Sequence, residues 1–523
     1  MALVPVKRFG EDIALRIVRP QAMRAADDFL KQRGVNPDSY HRAAWIQENV
    51  DPLAVRYLLQ HDTVESTDQI YRQATRLGLW QVRYFRPLEK EEYLVFVDPT
   101  SGQVFGFVHI LDDDAPGASL TPEQAKALAA QALQQYGYRL NDFDLQNSEA
   151  EKKKAREDYR LTWQARAGDS RNVADAHYRL AVDIAGDQVV GFARSFKLPE
   201  EWVRQRQASG LVNAVLIGLY VVFLMLLAGG AILLLVKQVR GWGLPWRRAL
   251  KVGVGLAVLV LLAQANLYPL LLSRYMTSIP LMTFKVYLAV TLVIVPLLAG
   301  GVAWVLVALL ASIYPQVWGI FAKSARRAWR RDAALAVLAS VAASVALNRF
   351  DALFTARFHA YAPISLDLFP SYLNAALPGA GFFLRGLAWG VVYASLVGLV
   401  LYAIRLGWSR RAWWLWAGII LLLITLGPSG AHSAREFLAG WVQSFVPLLV
   451  GLVLIALFFR DNVLAYLAAA VCLPQVEPLV TLFSSPAPFF RGNGLLLAVL
   501  LALLLGWLFL PGGDSTASPP ASS

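Results

Sequence analysis

The chain has 523 residues, 56% hydrophobic and 16% charged, with a formal net charge of +12. Soluble domains carry about 25% charged residues, so this composition excludes an ordinary soluble protein and points to the membrane. The single cysteine, Cys472, excludes an intramolecular disulfide framework and a Cys-based zinc site.

In chain order, Met1 to Gly10 (MALVPVKRFG) lacks the apolar stretch of a signal peptide. An exported N-terminal region would then need an anchor upstream of Met1, a first span that carries its own N-tail across, or an inverted topology. Of these, the upstream anchor is the expectation. Residues 21–34 (QAMRAADDFLKQRG) and 124–137 (QAKALAAQALQQYG) share helical apolar spacing and a glycine stop. Residues 97–107 (VDPTSGQVFGF) and 182–192 (VDIAGDQVVGF) each read as strand, tight turn, strand, with Ser101-Gly102 and Gly186-Asp187 at the turns. Two such pairs predict two copies of a helix-plus-antiparallel-sheet unit. Trp80 and Trp163 fall in the preceding strands as core residues. The acidic run Asp112–Asp114 reads as a solvated strand end, and residues 147–158 (NSEAEKKKARED) as an exposed linker or loop.

The charge divides near residue 210. Residues 1–210 hold 30 acids and 28 bases, residues 211–523 hold 7 acids and 21 bases, and the positive charge therefore belongs to the apolar part. Nine apolar runs follow, near 211–236, 252–272, 284–311, 332–348, 380–404, 412–428, 438–459, 462–483 and 494–511. The fourth is short and Ala-rich, which leaves a count of eight open. Thirteen of the 21 bases sit in three loops: Lys237, Arg240, Arg247, Arg248 and Lys251; Lys323, Arg326, Arg327, Arg330 and Arg331; Arg405, Arg410 and Arg411. The positive-inside rule puts these loops in the cytoplasm, and the N-terminal region and the 349–379 loop outside. Such placement suits a bilayer partner and not nucleic acid.

The helix-then-hairpin unit, duplicated, resembles PepSY-like domains. Residues 77–99 (LGLWQVRYFRPLEKEEYLVFVDP), 106–121 (GFVHILDDDAPGASLT) and 197–206 (KLPEEWVRQR) are similar to the N-terminal part of bacterial multipass proteins grouped with the CPBP intramembrane metalloproteases. The resemblance covers about residues 12–206. It implies an α-helical multipass bundle of eight or nine transmembrane helices in the bacterial inner membrane, after an α+β region of two PepSY-like repeats. The implied boundaries are 1–116 and 117–206 for the repeats, 207–511 for the bundle and 512–523 for a disordered tail. The resemblance also implies an EExxxR motif with later histidines as the catalytic set. The pairs Glu91-Glu92 and Glu200-Glu201 both lie in the soluble region, and Glu201 is followed by Trp202-Val203-Arg204, the wrong spacing. No catalytic residue carries over, which leaves sensing, scaffolding or binding of an envelope protein or peptide.

Ionisable residues at membrane depth are functional hypotheses. Glu477 lies inside the eighth run between Pro474 and Pro478, and Arg385 enters the fifth run to a similar depth. With His432, Glu436 and His359 they form the candidate polar cluster, within which a Glu477–Arg385 pair is geometrically allowed. The plain reading is a structural ion pair beside solvated loop residues. The alternatives are a substrate or ion site of a transporter, and a divergent protease site, the one case that would call for zinc. No other cofactor or metal is expected. Gln264 and Asn266 read as helix–helix hydrogen bonders. Ala299-Gly300-Gly301 reads as a place of close helix packing.

Overall fold

The structure, a computed structural model, describes residues 6–208, 211–241, 243–409, 413–428 and 430–509. The expected tail at 512–523 and the bases Arg410 and Arg411 lie outside the described residues. The first half of the N-terminal domain comprises α1 (Arg19–Gln32), β1 (His41–Glu48), α2 (Pro52–His61), α3 (Val64–Ala74), β2 (Gly78–Phe85), β3 (Glu92–Val97) and β4 (Val104–Ile110). The second comprises α4 (Pro122–Gln135), β5 (Phe143–Lys152), β6 (Glu157–Ala165), β7 (His177–Ala185) and β8 (Gln188–Lys197). All eight strands form one antiparallel sheet in the order β1-β2-β3-β4-β8-β7-β6-β5. Each half is a helix followed by a four-stranded meander, and the halves meet through their last strands at Val108 and Gly191.

The two halves match in local chemistry. α1 buries Ala22, Ala26 and Leu30, and α4 buries Ala125, Ala129 and Leu133; residues four apart share a helix face. Gly34 (φ 77°) and Gly137 (φ 82°) end these helices in the left-handed region. The next amides, of Val35 and Tyr138, then donate to the carbonyls of Leu30 and Leu133, both at 3.0 Å, which closes the last turn. Trp80 and Trp163 are both buried in the core.

Two features depart from the expected repeat. Residues 147–158 are not a loop: they are the outer part of β5, the turn, and the start of β6, paired from Ser148–Leu161 to Lys152–Glu157. That part of β5 is exposed on both faces, so no apolar alternation marks it as a strand. As an edge strand it also gains from the charges that discourage further pairing. The second departure is the insertion of α2 and α3 between β1 and β2, which has no counterpart between β5 and β6.

A short α5 (Glu200–Gln207) leads into the bundle: α6 (Leu211–Gly241), α7 (Trp246–Asn266), the single turn α8 (Tyr268–Leu271), α9 (Leu281–Ile313), α10 (Lys323–Arg357), α11 (Pro378–Ser409), α12 (Trp413–Thr425), α13 (Ala434–Leu454), α14 (Val463–Cys472), α15 (Val476–Ser484) and α16 (Pro488–Phe509). With α13 prolonged to Phe459, and with α14 and α15 forming one broken span, eight segments among the described residues are long and apolar enough to cross a membrane. The short segment is not the one expected. Run 332–348 lies within the 35-residue α10, whereas 412–428 yields the 13-residue α12, about 20 Å long.

Contacts to the N-terminal domain fix which helix ends share a side. Leu88 N donates to Thr277 O (2.9 Å) and Ala487 N to Leu15 O (3.2 Å), while Ile46 N donates to Asn374 Oδ1 (2.7 Å). The loops before α9, α11 and α16 therefore lie against this domain, and so does the start of α13, described below. Because α11 and α13 both begin there, the short α12 carries the chain back toward that side. The described bases of the three Arg-rich loops fall at the opposite end.

The glycine reading is sharpened. α7 and α9 cross at Gly253 and Gly300, where a Cβ on either would lie 2.7 Å from the other's carbonyl oxygen, whereas Gly301 faces open space. Gly300→Val is therefore expected to force α7 and α9 apart and cost about 1–3 kcal/mol. Gly301→Val serves as a near-neutral control. Thermal melting of both variants in detergent checks this; equal melting points would refute it.

Candidate functional site

The α2–α3 insertion is one of the elements that dock the N-terminal domain on the bundle. Asp51 caps α2 by accepting from Leu53 N, and Pro52 fills the first turn. Its apolar face, with Val55 and Leu58, packs in one cluster with Phe9, Leu198 and Trp202 and with Ile364, Leu366 and Leu368 of the loop before α11. Its polar edge presents Arg56. One Arg56 nitrogen donates to Ala362 O (2.7 Å), and the other lies 3.1 Å from Glu436 Oε1. Arg206 of α5 donates to the same oxygen at 2.8 Å. Glu436 Oε2 accepts from the backbone N–H of His432 (2.9 Å). Ser433 caps α13 by accepting from Glu436 N (3.2 Å).

The Glu436, Arg56 and Arg206 side chains are only 7%, 15% and 14% exposed. Burial pulls the Arg56 guanidinium below its ordinary value, and the hydrogen bond and charge of Glu436 oppose that shift. Three of the roughly four acceptor sites of this buried carboxylate are engaged, two by guanidiniums and one by a backbone amide. The arrangement holds the N-terminal domain on the bundle.

The other predicted residues are placed as follows. His359 joins the same junction from the bundle side: its Nδ1 donates to Leu59 O of α2 (2.6 Å). The His432 ring is exposed and turns back on its own loop, donating from Nδ1 to Gly430 O (2.8 Å). Arg385 and Glu477 share no ion pair with each other and no hydrogen bond with this junction. Arg385 lies over the Tyr372 ring at 5.5 Å, and Glu477 is exposed on the bundle surface. The reason is helical phase. Gln475 is buried against Gly386, the neighbour of Arg385, and residues two apart on a helix face nearly opposite ways. Glu477 therefore points away from α11. The span is broken at Pro474, within a 3-10 turn over Leu473–Gln475.

Sequence reasoning missed the N-terminal partners. Arg56 and Arg206 lie in segments with no motif, and their role exists only once α2 and α5 meet α13. A second buried junction was equally hidden. Arg83 in β2 pairs with Glu92 (2.6 Å) and donates to Tyr275 O (2.5 Å), and Thr277 donates to Glu92 Oε1 (3.1 Å). Asn266 gives a third link, within the bundle: its side chain donates to Leu377 O and accepts from Leu377 N, both at 2.8 Å.

Catalysis through zinc would need three or more His, Cys, Asp or Glu side chains around one point. Among the described residues no such group is gathered, so the donor set does not fit that metal.

The N-terminal domain carries a separate cleft of about 400 Å³ between α1 and α4, over the strands where the halves meet. Leu30, Phe107 and Val189 supply apolar lining, and Arg33, His109 and Gln131 polar lining. The Arg33 guanidinium lies over the rings of Phe29 (4.5 Å) and Phe107 (4.2 Å). His109 stacks on Tyr93 with centroids 4.0 Å apart and donates from Nε2 to Glu91 Oε1 (2.9 Å). Burial lowers the His109 pKa, against the hydrogen bond and charge of Glu91. A histidine held neutral in the folded state is protonated first in the unfolded chain, so its contribution is complete above the ordinary value and is lost as pH falls through it. Acidification from about pH 7 to 5 is therefore expected to lower the melting temperature, and His109→Gln to flatten that dependence. NMR titration of the His109 ring should give a midpoint below about 6.5; a midpoint above it would refute the assignment.

No family profile, no curated protein and no solved structure matches this chain.

Proposed function

We propose that the chain is a non-catalytic, multipass bacterial inner-membrane protein whose extracytoplasmic domain binds a peptide segment of an envelope partner in the cleft between its two halves. The observation that carries this reading is the cleft itself: both halves line it, and its largely polar lining sets Arg33, His109, Gln131, Gln135 and Gln188 beside the apolar Leu30, Phe107 and Val189. Polar side chains of this kind can bond the backbone N–H and C=O groups that a peptide offers at each residue, and the apolar patches can take its side chains. The repeated helix-then-meander, with matching glycine stops, supports the PepSY-like reading. Kinship with CPBP proteases enters as layout only, since Glu436 is engaged as a tie. The bases gathered at the far end of the bundle support an extracytoplasmic domain under the positive-inside rule.

Selection of a random peptide library against the full-length protein in lipid nanodiscs tests the proposal. Exposed Gln131 lines the cleft, so Gln131→Trp would fill it. Enriched peptides are expected to bind wild type at least tenfold more tightly than this variant. Peptides that bind both equally, or no enrichment, would overturn it.

A further inference from the structure

At the end of the bundle away from the N-terminal domain lies a second cavity, of about 240 Å³. Its walls come from α9, α11, α14, α16 and the 3-10 segment Pro315–Phe321, with Leu310, Val391, Leu401 and Leu504 among the lining residues. The Ser395 hydroxyl in the wall is spent on its own helix, donating to Val391 O (2.8 Å). A cavity with apolar walls does not hold water, and its volume is below the roughly 300–1,000 Å³ of sites for drug-sized ligands. It suits a single hydrocarbon chain. Phe321 and Trp507 belong to the lining and are 63% and 49% exposed, so the cavity is open beside them.

The rim is charged. Arg405 is paired with Asp461 (3.0 Å). Arg460, which also lines the cavity, is exposed, and among the described residues its guanidinium has no hydrogen bond or ion pair. Its backbone, by contrast, is clamped. Arg460 N donates to Ile455 O (3.0 Å), which closes a π turn over Ile455–Phe459, and Tyr466 OH donates to Arg460 O (3.1 Å). These bonds hold Arg460 at φ 44°, a left-handed conformation that is rare for a residue with a Cβ. Such strain and π turns concentrate at ligand clamps. A fixed backbone with an unspent guanidinium at the mouth of a hydrocarbon-lined cavity is a site for an amphiphile with an anionic head.

We propose that this cavity binds one acyl chain of an anionic phospholipid, with the lipid phosphate on Arg460. The guanidinium fork matches phosphate oxygens two at a time. The many bases at this end of the bundle favour anionic lipid there. The proposal is independent of the peptide-binding reading, because it concerns the opposite end of the molecule.

The test uses the full-length protein in detergent, with native mass spectrometry to count bound lipid and thermal melting as a second readout. The probes are dioleoyl phosphatidylglycerol, dioleoyl phosphatidylcholine, oleate and glycerol phosphate. Phosphatidylglycerol is expected to bind at least tenfold more tightly than phosphatidylcholine, and Arg460→Gln to abolish that preference. Ala394→Phe, which fills the cavity, is expected to abolish retention of both lipids. Arg460 is exposed and unpaired, so its variant keeps the test decisive if Ala394→Phe fails to fold. Equal binding of the two lipids, or an unchanged preference in Arg460→Gln, overturns the proposal. Glycerol phosphate acting as well as phosphatidylglycerol would make the cavity irrelevant and also overturn it. Oleate matching phosphatidylglycerol would replace the phospholipid by a fatty acid and overturn it likewise.

Discussion

Glu436→Gln is expected to loosen the N-terminal domain from the bundle at a cost of about 3 kcal/mol, because removing one member of a buried ion pair leaves its partners charged and uncompensated. Here two guanidiniums depend on one carboxylate: Arg56 at 3.1 Å and Arg206 at 2.8 Å. The amide keeps the shape of the side chain and one acceptor oxygen, so the loss reports charge and not volume. Arg56→Gln and Arg206→Gln singly should each cost less, since Glu436 then keeps one cation. The Arg206→Gln/Glu436→Gln double variant should lose less than the sum of its singles, the signature of direct coupling. Trypsin provides a local readout: cleavage after Arg206 should accelerate in Glu436→Gln, as α5 loses its anchor. A variant that melts and resists trypsin like the wild type would show that the apolar contacts of α2 hold the domain without the ion pairs.

Asn374→Ala is expected to be similarly costly by a different route. Asn374 is 3% exposed. Its amide accepts from Ile46 N (2.7 Å) and donates to Ile46 O (2.9 Å), as a neighbouring strand would. β1 is the edge of the sheet, so these bonds cover an edge that would otherwise be open for pairing. Truncation leaves a buried N–H and a buried C=O unmet, at about 1–3 kcal/mol each. Hydrogen exchange in the full-length protein should show Ile46 losing roughly two orders of magnitude of protection. Unchanged protection at Ile46 would mean that water or another group replaces the amide.

Much of the architecture was legible because it is written in local pattern. The alanine–leucine faces of α1 and α4, the glycine stops at Gly34 and Gly137, and the turns at Gly102 and Gly186 each follow from short-range sterics. The apolar runs between basic blocks follow from the cost of burying charge in hydrocarbon. The α2–α3 insertion escaped, since an amphipathic helix inside a repeat looks like any other helix. The true extent of β5 escaped because an edge strand exposed on both faces carries no alternation. In the candidate site, Glu436 and His359 were legible as polar groups near helix ends, but their partners Arg56 and the Leu59 carbonyl lie about 300 or more positions earlier in the chain. The allowed Arg385–Glu477 pair rested on matched depth alone. Depth along a helix can be counted from sequence, whereas the direction a side chain faces depends on which residue packs inward, and Gln475 against Gly386 decided that.

By itself, then, the sequence determined the division into an α+β region and an apolar helical bundle, the duplication within the first, and the alternation of charge along the second. These depend on periodicity and composition, which are properties of neighbouring residues. Only the tertiary structure decided that Glu436 is a tie between domains, that the edge of the sheet is closed by an asparagine, and that the Arg460 guanidinium, without a partner among the described residues, stands beside an apolar cavity. Each of these depends on groups far apart in the chain arriving at one point, and whether a buried charge is a site or a clasp is set by what meets it there.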